Sequence, residues 1–262
     1  MRCIALASGS KGNCLYIEAD NGALLVDAGL SRKEFLRRLG EAGGDKDLIC
    51  GILVTHEHTD HISGVDALAR HLSVPVYATG GTLCEFLERR KCTRAPVRAQ
   101  RLCYDEQYQI GDFTIQAFET SHDAREPAGF TIRENGIRIG CCTDTGVMNA
   151  RIRERLMGCD ALVLESNHCP EMLRDGPYPE MLKRRIRSRR GHLSNHDAAG
   201  FLRDCCPDIH EVMLAHLSEI NNTPEKAMNS AQNGLGIYLD SINITIAQNP
   251  GPSNGWPGQI RI

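Results

Sequence analysis

The feature that most constrains the fold of this chain is a histidine cluster that directly follows an apolar segment. The cluster reads Thr55-His56-Glu57-His58-Thr59-Asp60-His61, so three imidazoles and two carboxylates fall within six residues. So many polar groups beside a buried strand are costly unless something pairs them. The apolar residues 51–54 are predicted to form that strand, and a helix is predicted over residues 63–72. The chain is therefore expected to turn at a strand end and to hold a charged partner there.

The spacing of these side chains predicts metal binding. In an extended or turning segment His56 and His58 point to the same side and can bind one ion together. Asp60 and His61 lie around the turn and can reach a second ion. Nitrogen and carboxylate ligands of this kind suit zinc, and also manganese or iron. The alternative, a histidine-rich surface loop, is disfavoured by the strand-turn-helix context.

The order of apolar segments predicts a layered α/β fold. Strands are predicted at residues 2–7, 14–18 and 23–26, followed by a helix that Ser31 and Glu34 begin as a capping box. A meander of four strands is predicted at 107–110, 113–118, 129–133 and 137–142, with Asn135-Gly136 as a hairpin turn. Further elements are predicted as a helix over 148–157, a strand at 161–164, a helix that Asn195 caps, a strand at 212–215, a helix opened by Thr223-Pro224 and a last strand at 242–246. This order, strands followed by helices, occurs twice along the chain. It favours two sheets packed face to face, with helices on the outside.

No linker or internal repeat divides the chain, so one domain over residues 1–262 is predicted, with an irregular tail from about residue 249. Hydrophobic residues make up 41% and charged residues 24%, as in globular proteins. No apolar run approaches the roughly 20 residues of a membrane-spanning helix. The first apolar residues are interrupted by Ser8-Gly9-Ser10 and do not resemble a secretory signal. We therefore expect a cytoplasmic location and no membrane partner.

The 12 cysteines are spread along the chain without a C-x-x-C pair. This pattern favours small buried apolar side chains in a reducing compartment over a disulfide framework, a zinc knuckle or a redox pair. The net charge of −3 excludes a surface that is basic all over, although it leaves room for a local basic patch. Nothing in the sequence predicts an oligomeric state.

The His-x-His-x-Asp-His pattern resembles the hallmark of the metallo-β-lactamase superfamily, whose fold is a four-layer αββα sandwich. Four further motifs follow the family's order: Asp27 in Leu25-Val26-Asp27-Ala28-Gly29, His122 in Thr120-Ser121-His122-Asp123, Asp144 in Thr143-Asp144-Thr145-Gly146, and His216 in Leu214-Ala215-His216-Leu217-Ser218. The resemblance implies one ion on His56, His58, His122 and Asp144, a second on Asp60, His61, Asp144 and His216, and a supporting role for Asp27. Two ions about 3.5–4 Å apart can hold a bridging hydroxide as a nucleophile.

Three other segments bear on the substrate, which the fold alone does not choose. Residues 8–13 form a glycine-serine turn whose Ser10 and Asn13 are candidates for phosphate binding, although a plain β-turn fits nearly as well. Residues 164–168 carry Glu165 at the end of a predicted strand. Residues 191–195 begin a helix, and a helix N-terminus with a histidine, a hydroxyl and an amide suits phosphate. There Ser194 and Asn195 are predicted to contact phosphate.

A basic run, residues 183–190, directly precedes that helix. Runs of this kind are more often a solvated helix face than a binding site. Because this run adjoins a predicted phosphate-binding site, however, its cations can also contact a nucleic-acid backbone. The cations predicted to do so are Arg184, Arg185, Arg187 and Arg189.

Together, the motifs from Ser8 to about Pro224 are similar to the YycJ/WalJ group, which is regarded as a group of 5′-to-3′ DNA exonucleases. Glu165 and His192 also resemble the glutamate–histidine pair of the superfamily's tRNA-maturing endonucleases. That resemblance implies that His192, oriented by Glu165, protonates the leaving oxygen. The predicted catalytic residues are His192, Glu165 and Asp60. Cys169 stands where the pattern has an aspartate, so His168 is interpreted as structural.

The predicted function is thus a metal-dependent phosphodiesterase with a nucleic acid substrate, specifically a DNA 5′-exonuclease. A small-molecule hydrolase, such as a glyoxalase II-like thioesterase or a lactonase, explains the metal motif and the net charge equally well. It leaves Glu165, His192 and the basic run without a purpose. A third interpretation, a non-catalytic signalling partner, predicts broken ligands, and none is broken. Single-stranded DNA binding with a steep salt dependence separates the first interpretation from the second.

Overall fold

The computed structural model describes residues 1–90, 95–205, 209–247 and 258–262. Within these ranges the strands are β1 (Arg2–Ala7), β2 (Cys14–Glu18), β3 (Ala23–Val26), β4 (Ile49–Leu53), β5 (Val76–Thr79), β6 (Ala99–Leu102), β7 (Gln107–Ile110), β8 (Phe113–Glu119), β9 (Ala128–Glu134), β10 (Ile137–Cys142), β11 (Ala161–Glu165), β12 (Glu211–Ala215), β13 (Asn243–Ile246) and β14 (Gln259–Arg261). The helices are α1 (Arg32–Glu41), α2 (Thr59–Ile62), α3 (Val65–Leu72), α4 (Gly80–Arg89), α5 (Ala150–Leu156), α6 (Pro170–Asp175), α7 (Glu180–Ile186), α8 (Asn195–Cys205) and α9 (Pro224–Leu235). In the described residues, 3₁₀ turns lie at Lys46–Leu48 and Gly236–Ser241.

The described strands form two sheets, ordered β14-β1-β2-β3-β4-β5-β6 and β13-β12-β11-β10-β9-β8-β7. In each sheet an antiparallel part passes into a parallel part, at β3–β4 in the first sheet and at β10–β11 in the second. The inner faces share one apolar core, in which Ile17 and Val26 of the first sheet pack with Phe130 and Val163 of the second. Helices α1, α3 and α4 cover the first sheet, and α5, α8 and α9 cover the second. The predicted αββα sandwich is confirmed.

Local signals placed most elements correctly. The strands predicted at residues 2–7, 14–18, 23–26, 107–110 and 137–142 agree residue for residue. Ser31 caps α1 by accepting a hydrogen bond from the backbone N–H of Glu34 at 3.3 Å. Asn135 and Gly136 both have positive φ, as the predicted hairpin turn requires. Thr223 caps α9, and Pro224 is its first residue.

The prediction of an irregular tail was wrong at its end. Residues 249–257 lie outside the described residues, but Gln259–Arg261 forms β14 and pairs antiparallel with β1. Ile260 is buried opposite Cys3, and β1 would otherwise present an unpaired edge to solvent. The pattern analysis also missed β6, α6 and α7, which are short.

Six of the nine cysteines whose side chains the structure describes are buried. This agrees with their predicted role as small apolar residues. None of the described helices has the length and apolar character needed to cross a membrane. The assignment of residues 1–262 to one domain stays a prediction.

Candidate metal centre and adjoining cleft

All of the predicted metal ligands follow strand ends at one edge of the two sheets. Asp27 comes directly after β3, and the histidine cluster follows β4. In the second sheet His122 follows β8, Asp144 follows β10 and His216 follows β12. Because β8, β10 and β12 run in the same direction, their carboxyl ends meet at one edge, where ligands bind in open α/β sheets.

The first group of ligand atoms comes from His56, His58 and His122. His58 Nδ1 lies 3.0 Å from His56 Nε2 and 3.3 Å from His122 Nε2. The group comes from two separate segments, one after β4 and one after β8. The three nitrogen atoms are close enough together to bind one ion.

The second group comes from Asp60, His61 and His216. Asp60 Oδ2 lies 3.5 Å from His61 Nε2 and 3.8 Å from His216 Nε2. Asp144 lies between the two groups, with Oδ2 3.4 Å from His61 Nε2 and Oδ1 3.7 Å from His122 Nε2. This carboxylate can therefore reach both groups, as the resemblance implied.

The other ring nitrogen of four histidines is held by the protein. Nδ1 of His56 bonds to the Thr55 hydroxyl at 3.0 Å, and Nδ1 of His122 donates to the Gly191 carbonyl at 2.9 Å. The Nδ1 atoms of His61 and His216 donate to the carboxylates of Asp27 and Glu165, respectively, at 2.7 and 3.0 Å. A proton on Nδ1 leaves a lone pair on Nε2, the atom that faces the cluster. Outer bonds of this kind are typical of metal-ligating histidines.

Two buried atoms in the cluster, Asp144 Oδ2 and His216 Nε2, have no hydrogen-bond partner in the part of the chain that the structure describes. Such atoms are costly to bury unless a cation or a proton satisfies them. Burial would raise the pKa of the Asp60 and Asp144 carboxyls, but the neighbouring imidazoles hold both pKa values below the ordinary range. Ionised carboxylates beside imidazole nitrogens fit divalent metal ions.

The pKa of His216 also supports the binding of a divalent metal ion at this cluster. Burial lowers this pKa, whereas the nearby carboxylates of Asp144 and Asp60 and the hydrogen bond with Glu165 raise it, to about 10. Without a metal the ring therefore takes up a proton to offset the surrounding carboxylates. Binding of a divalent cation would release that proton.

Three of the predicted site residues have strained backbones. The φ angles of Asp27, Asp144 and His216 are 61°, 57° and 59°, in a region that residues other than glycine seldom adopt. Each such residue costs about 1–3 kcal/mol, and such residues cluster at functional sites. All three residues stand one or two positions after the end of a strand, at the edge where the ligand cluster lies.

Asp27 also holds the backbone and side chain of the histidine segment. Its Oδ1 accepts the Thr55 backbone N–H at 2.8 Å, and its Oδ2 accepts the Thr55 hydroxyl at 2.8 Å as well as Nδ1–H of His61. Thr55, whose role the sequence analysis missed, thereby links Asp27 to His56. A side chain at Gly29 would collide with the Asp60 carbonyl, which explains the glycine two residues after Asp27.

Replacing Asp27 with Asn is expected to weaken metal binding about 10–100-fold, because an amide has one acceptor oxygen where the carboxylate has two. Its NH2 group would face either the Thr55 backbone N–H or the Thr55 hydroxyl and Nδ1–H of His61. Asn tolerates the positive φ, so the fold should persist. Competition with a chelator measures the affinity. Asp66→Asn, in α3 and outside the cluster, is the matched control. Unchanged affinity in Asp27→Asn would show that Asp27 does not orient a metal ligand.

Glu165 connects His192 to the cluster. It is fully buried at the end of β11, and its Oε1 accepts Nδ1–H of His192 at 2.7 Å and of His216 at 3.0 Å. Its Oε2 accepts the backbone N–H groups of Thr145 and Leu193. Burial lowers the pKa of His192, but the charge and hydrogen bond of Glu165 outweigh it, so that this pKa lies above its ordinary value.

The predicted phosphate contacts do not lie together. Ser10 lines the cleft beside the cluster, and Nδ2 of Asn13 lies 3.2 Å from Asp60 Oδ2. Ser194, rather than the predicted Asn195, caps α8, since its hydroxyl accepts the Asp197 N–H at 3.1 Å. The prediction that Asn195 caps this helix was wrong, because the Asn195 side chain is buried and hydrogen-bonded to Ser166 and Asn222.

The basic run is divided by the fold. Arg185 lines the cleft and bonds Asp123 at 2.6 Å. Arg184 and Arg187 instead pair with Glu180 on α7. Arg189 is exposed, and its carbonyl accepts the Ser121 hydroxyl. Of the four arginines predicted to contact a nucleic-acid backbone, Arg185 is thus the one that lines the cleft over the metal cluster.

The cleft over the cluster has a volume of about 310 Å³ and meets a second cavity of about 740 Å³ at His192. The second cavity contains Ser194, Asn195 and Arg187 in its wall. Apolar side chains also line the cleft, and sequence reasoning missed them: Tyr178, Leu182, Ile186, Leu217 and Ile220. Their signal in the sequence is weak, because single apolar residues in short helices and loops are common.

Residues 23–217 match the family model described as a β-lactamase superfamily domain. The chain is 41% identical to the exodeoxyribonuclease YycJ of Bacillus anthracis over 238 residues, 88% of this chain and 90% of that protein. It is 37% identical to the exodeoxyribonuclease WalJ of Streptococcus pneumoniae over 243 residues, 90% of each protein. The metallo-β-lactamase fold protein YhfI of Bacillus subtilis superposes with a TM-score of 0.73 at 16% identity, over 95% of this chain and 98% of that one. With the sandwich and the ligand cluster described above, these matches show that the chain belongs to the metallo-β-lactamase superfamily.

Proposed function

We propose that this protein is a metal-dependent phosphodiesterase that degrades nucleic acid, and specifically a 5′-to-3′ DNA exonuclease. Relatives named exodeoxyribonuclease are 41% and 37% identical to it over about nine-tenths of their length. The observation that carries the proposal is the Glu165 carboxylate, which contacts His192 and the candidate ligand His216 through one oxygen. A proton donor held beside a metal centre suits cleavage of a phosphodiester whose leaving group is a basic alkoxide, such as the 3′ oxygen of a nucleotide.

Two divalent cations, of zinc, manganese or iron, would occupy the cluster. His56, His58 and His122 would hold one, Asp60, His61 and His216 the other, and Asp144 would contact both. When bound, such ions polarise the phosphoryl oxygens and lower the pKa of an attacking water. Asp60 lines the cleft and would hold the second ion there.

His192 supplies the proton to the leaving oxygen. With Nδ1–H donated to Glu165, Nε2 is the ring atom left for the substrate. Removal of a 5′ nucleotide by cleavage of the P–O3′ bond leaves negative charge on the 3′ oxygen of that nucleotide, and the His192 imidazolium neutralises it. The Glu165 carboxylate favours the imidazolium and holds the ring in place.

Arg185 is the cation placed to contact substrate phosphate outside the metal cluster. Its partner Asp123 immediately follows the candidate ligand His122, so the ion pair holds the guanidinium beside the cleft. We also propose that the chain is one domain, since its two sheets share a core, and that it acts in the cytoplasm.

The decisive experiment is a nuclease assay on 5′-labelled single- and double-stranded DNA, and on RNA of the same sequence, with added manganese or zinc. Stepwise release of short 5′ products from DNA is expected, and a His58→Ala variant should release none. Absence of cleavage of DNA and RNA by the fully metallated protein would contradict the proposal. Turnover of a small ester or thioester would then be tested.

Replacing Arg185 with Ala is expected to weaken single-stranded DNA binding and to reduce the slope of log affinity against log salt by about 0.7, the loss of one phosphate contact. Fluorescence anisotropy over a salt series measures this slope. Arg184→Ala is the matched control, because Arg184 is exposed and pairs with Glu180 on the same helix. Unchanged DNA binding in Arg185→Ala would indicate that the run is only a solvated helix face. The combined Ala variant of Arg184, Arg185, Arg187 and Arg189 should weaken binding further.

A further inference from the structure

We propose that the apolar wall of the metal cleft binds a nucleobase next to the scissile phosphate, with Tyr178 as the stacking surface and Ile220 as a second contact. The inference rests on the proposed nuclease function and names how that site recognises its substrate. Four observations support it: the composition of the cleft, the position of Tyr178, the exposure of Ile220, and the size of the cleft with Arg185 in its wall.

The cleft is lined by two chemically different sets of side chains. One set is polar and belongs to the candidate metal centre or its proton donor: His58, Asp60, Asp144, His192 and His216. The other set is apolar or aromatic: Tyr178, Leu182, Ile186, Leu217 and Ile220. A site that acted on phosphate alone would not need the second set. A nucleotide presents an anion and a flat apolar ring within one ligand, and these two sets match those two parts.

Tyr178 lies in a short connection whose backbone is restricted. The connection runs from the end of α6 at Asp175 to the start of α7 at Glu180, and prolines stand on each side of Tyr178. Proline fixes its own φ and limits the residue before it, so the position of the ring is defined by few degrees of freedom. Tyr178 is half-buried and lines the cleft. A pre-positioned aromatic ring stacks on a base at low entropic cost.

Ile220 reaches the same cleft from a different segment, the loop after β12. Its exposed fraction is 48%, which is high for a large aliphatic side chain. The loop is held by the Lys11–Glu219 ion pair at 2.7 Å and by the hydrogen bond from the Asn221 N–H to the Ser218 hydroxyl at 3.1 Å. A single exposed isoleucine is ordinary, but one that shares a metal-bearing cleft with Tyr178 is placed to contact a ligand.

The size of the cleft, and the Arg185 guanidinium beside its apolar wall, favour a nucleotide as the ligand. Arg185 lies in the same wall as Leu182 and Ile186, so a cation for phosphate adjoins the apolar surface. The volume of about 310 Å³ is at the lower end of the roughly 300–1,000 Å³ of ligand sites. Such a cleft accepts one nucleotide of a strand rather than a base-paired duplex. Base stacking on an aromatic side chain changes affinity by about 5- to 150-fold.

The test compares two substrates and four variants of the metal-loaded protein. One substrate is an oligothymidylate, and the other is the same oligonucleotide with stable abasic analogues at its first two positions. Tyr178→Ala should raise KM for the oligothymidylate about 5- to 150-fold, with a smaller change in kcat. Tyr178→Phe, which keeps the ring, should resemble the wild type. Ile220→Ala should show a smaller rise in KM than Tyr178→Ala. Tyr238→Ala removes an exposed tyrosine that lies outside the cleft and should change nothing.

The abasic substrate decides the mechanism. If the ring stacks on a base, wild-type protein and Tyr178→Ala should cleave the abasic substrate with the same KM. An equal loss on the two substrates, or a loss in Tyr178→Phe as large as in Tyr178→Ala, would overturn the inference. Cleavage of neither substrate by the wild type would instead reject the proposed nuclease function. Metal content, measured for every variant, should stay that of the wild type.

Discussion

His58→Ala is expected to abolish cleavage of DNA, a fall of about 10³-fold or more, and to lower the metal content of the protein. Nδ1 of His58 completes the first ligand group with His56 and His122. Its loss removes a ligand from the ion that stabilises charge in the transition state, an effect of several kcal/mol. The measurements are the initial rate on labelled DNA and the metal bound per chain.

The fold should survive this substitution, since His58 is partly exposed and caps α2 without a side-chain hydrogen bond to the helix. His71→Ala, in α3 and exposed, is the matched control and should retain full activity. A His58→Ala protein that kept wild-type turnover and metal content would remove His58 from the metal centre. Restored cleavage at high metal concentration would show that the loss arises from metal affinity.

His192→Ala is expected to slow cleavage of DNA about 10²- to 10⁴-fold while the metal content stays near normal. Loss of a general acid has this magnitude. His192 contacts the cluster through its hydrogen bond with Glu165, so its removal takes away none of the seven proposed metal ligands. If His192→Ala stripped the metal, its assignment as proton donor would be wrong.

A change of leaving group separates proton donation from positioning. A nucleotide ester of p-nitrophenol has a leaving oxygen that needs no proton, so His192→Ala should cleave it at close to the wild-type rate. The same variant should remain slow on DNA. Equal losses on the two substrates would indicate that His192 positions the strand rather than donating a proton.

Glu165 is the residue that joins the two functions of the site. Its Oε1 accepts from the proposed proton donor His192 and from the candidate ligand His216. A substitution of Glu165 would therefore change metal affinity and proton donation together. His192 is the better position for testing proton transfer because its removal leaves the Glu165–His216 hydrogen bond in place.

The sequence by itself determined the fold class and the candidate ligand set. Strand and helix patterns favoured two facing sheets, and the resemblance of the motifs to the metallo-β-lactamase superfamily implied the four-layer sandwich. The same resemblance implied the full ligand set, whose members also follow strand ends, as His56 follows β4 and His216 follows β12. Local periodicity and motif order are properties of the chain itself, so no tertiary information was required.

Only the tertiary structure decided which side chains meet across long separations in the chain. The Glu165–His192 contact was implied by resemblance, but the sharing of Glu165 with His216 depends on how β11 packs beside β12. The basic run looked uniform in sequence, yet the orientation of α7 brings Arg185 to the cleft and pairs Arg184 with Glu180. Tyr178 had no motif at all. The physical reason is common to all three: a side chain's neighbours are set by the packing of distant segments, and short-range sequence patterns do not encode that packing.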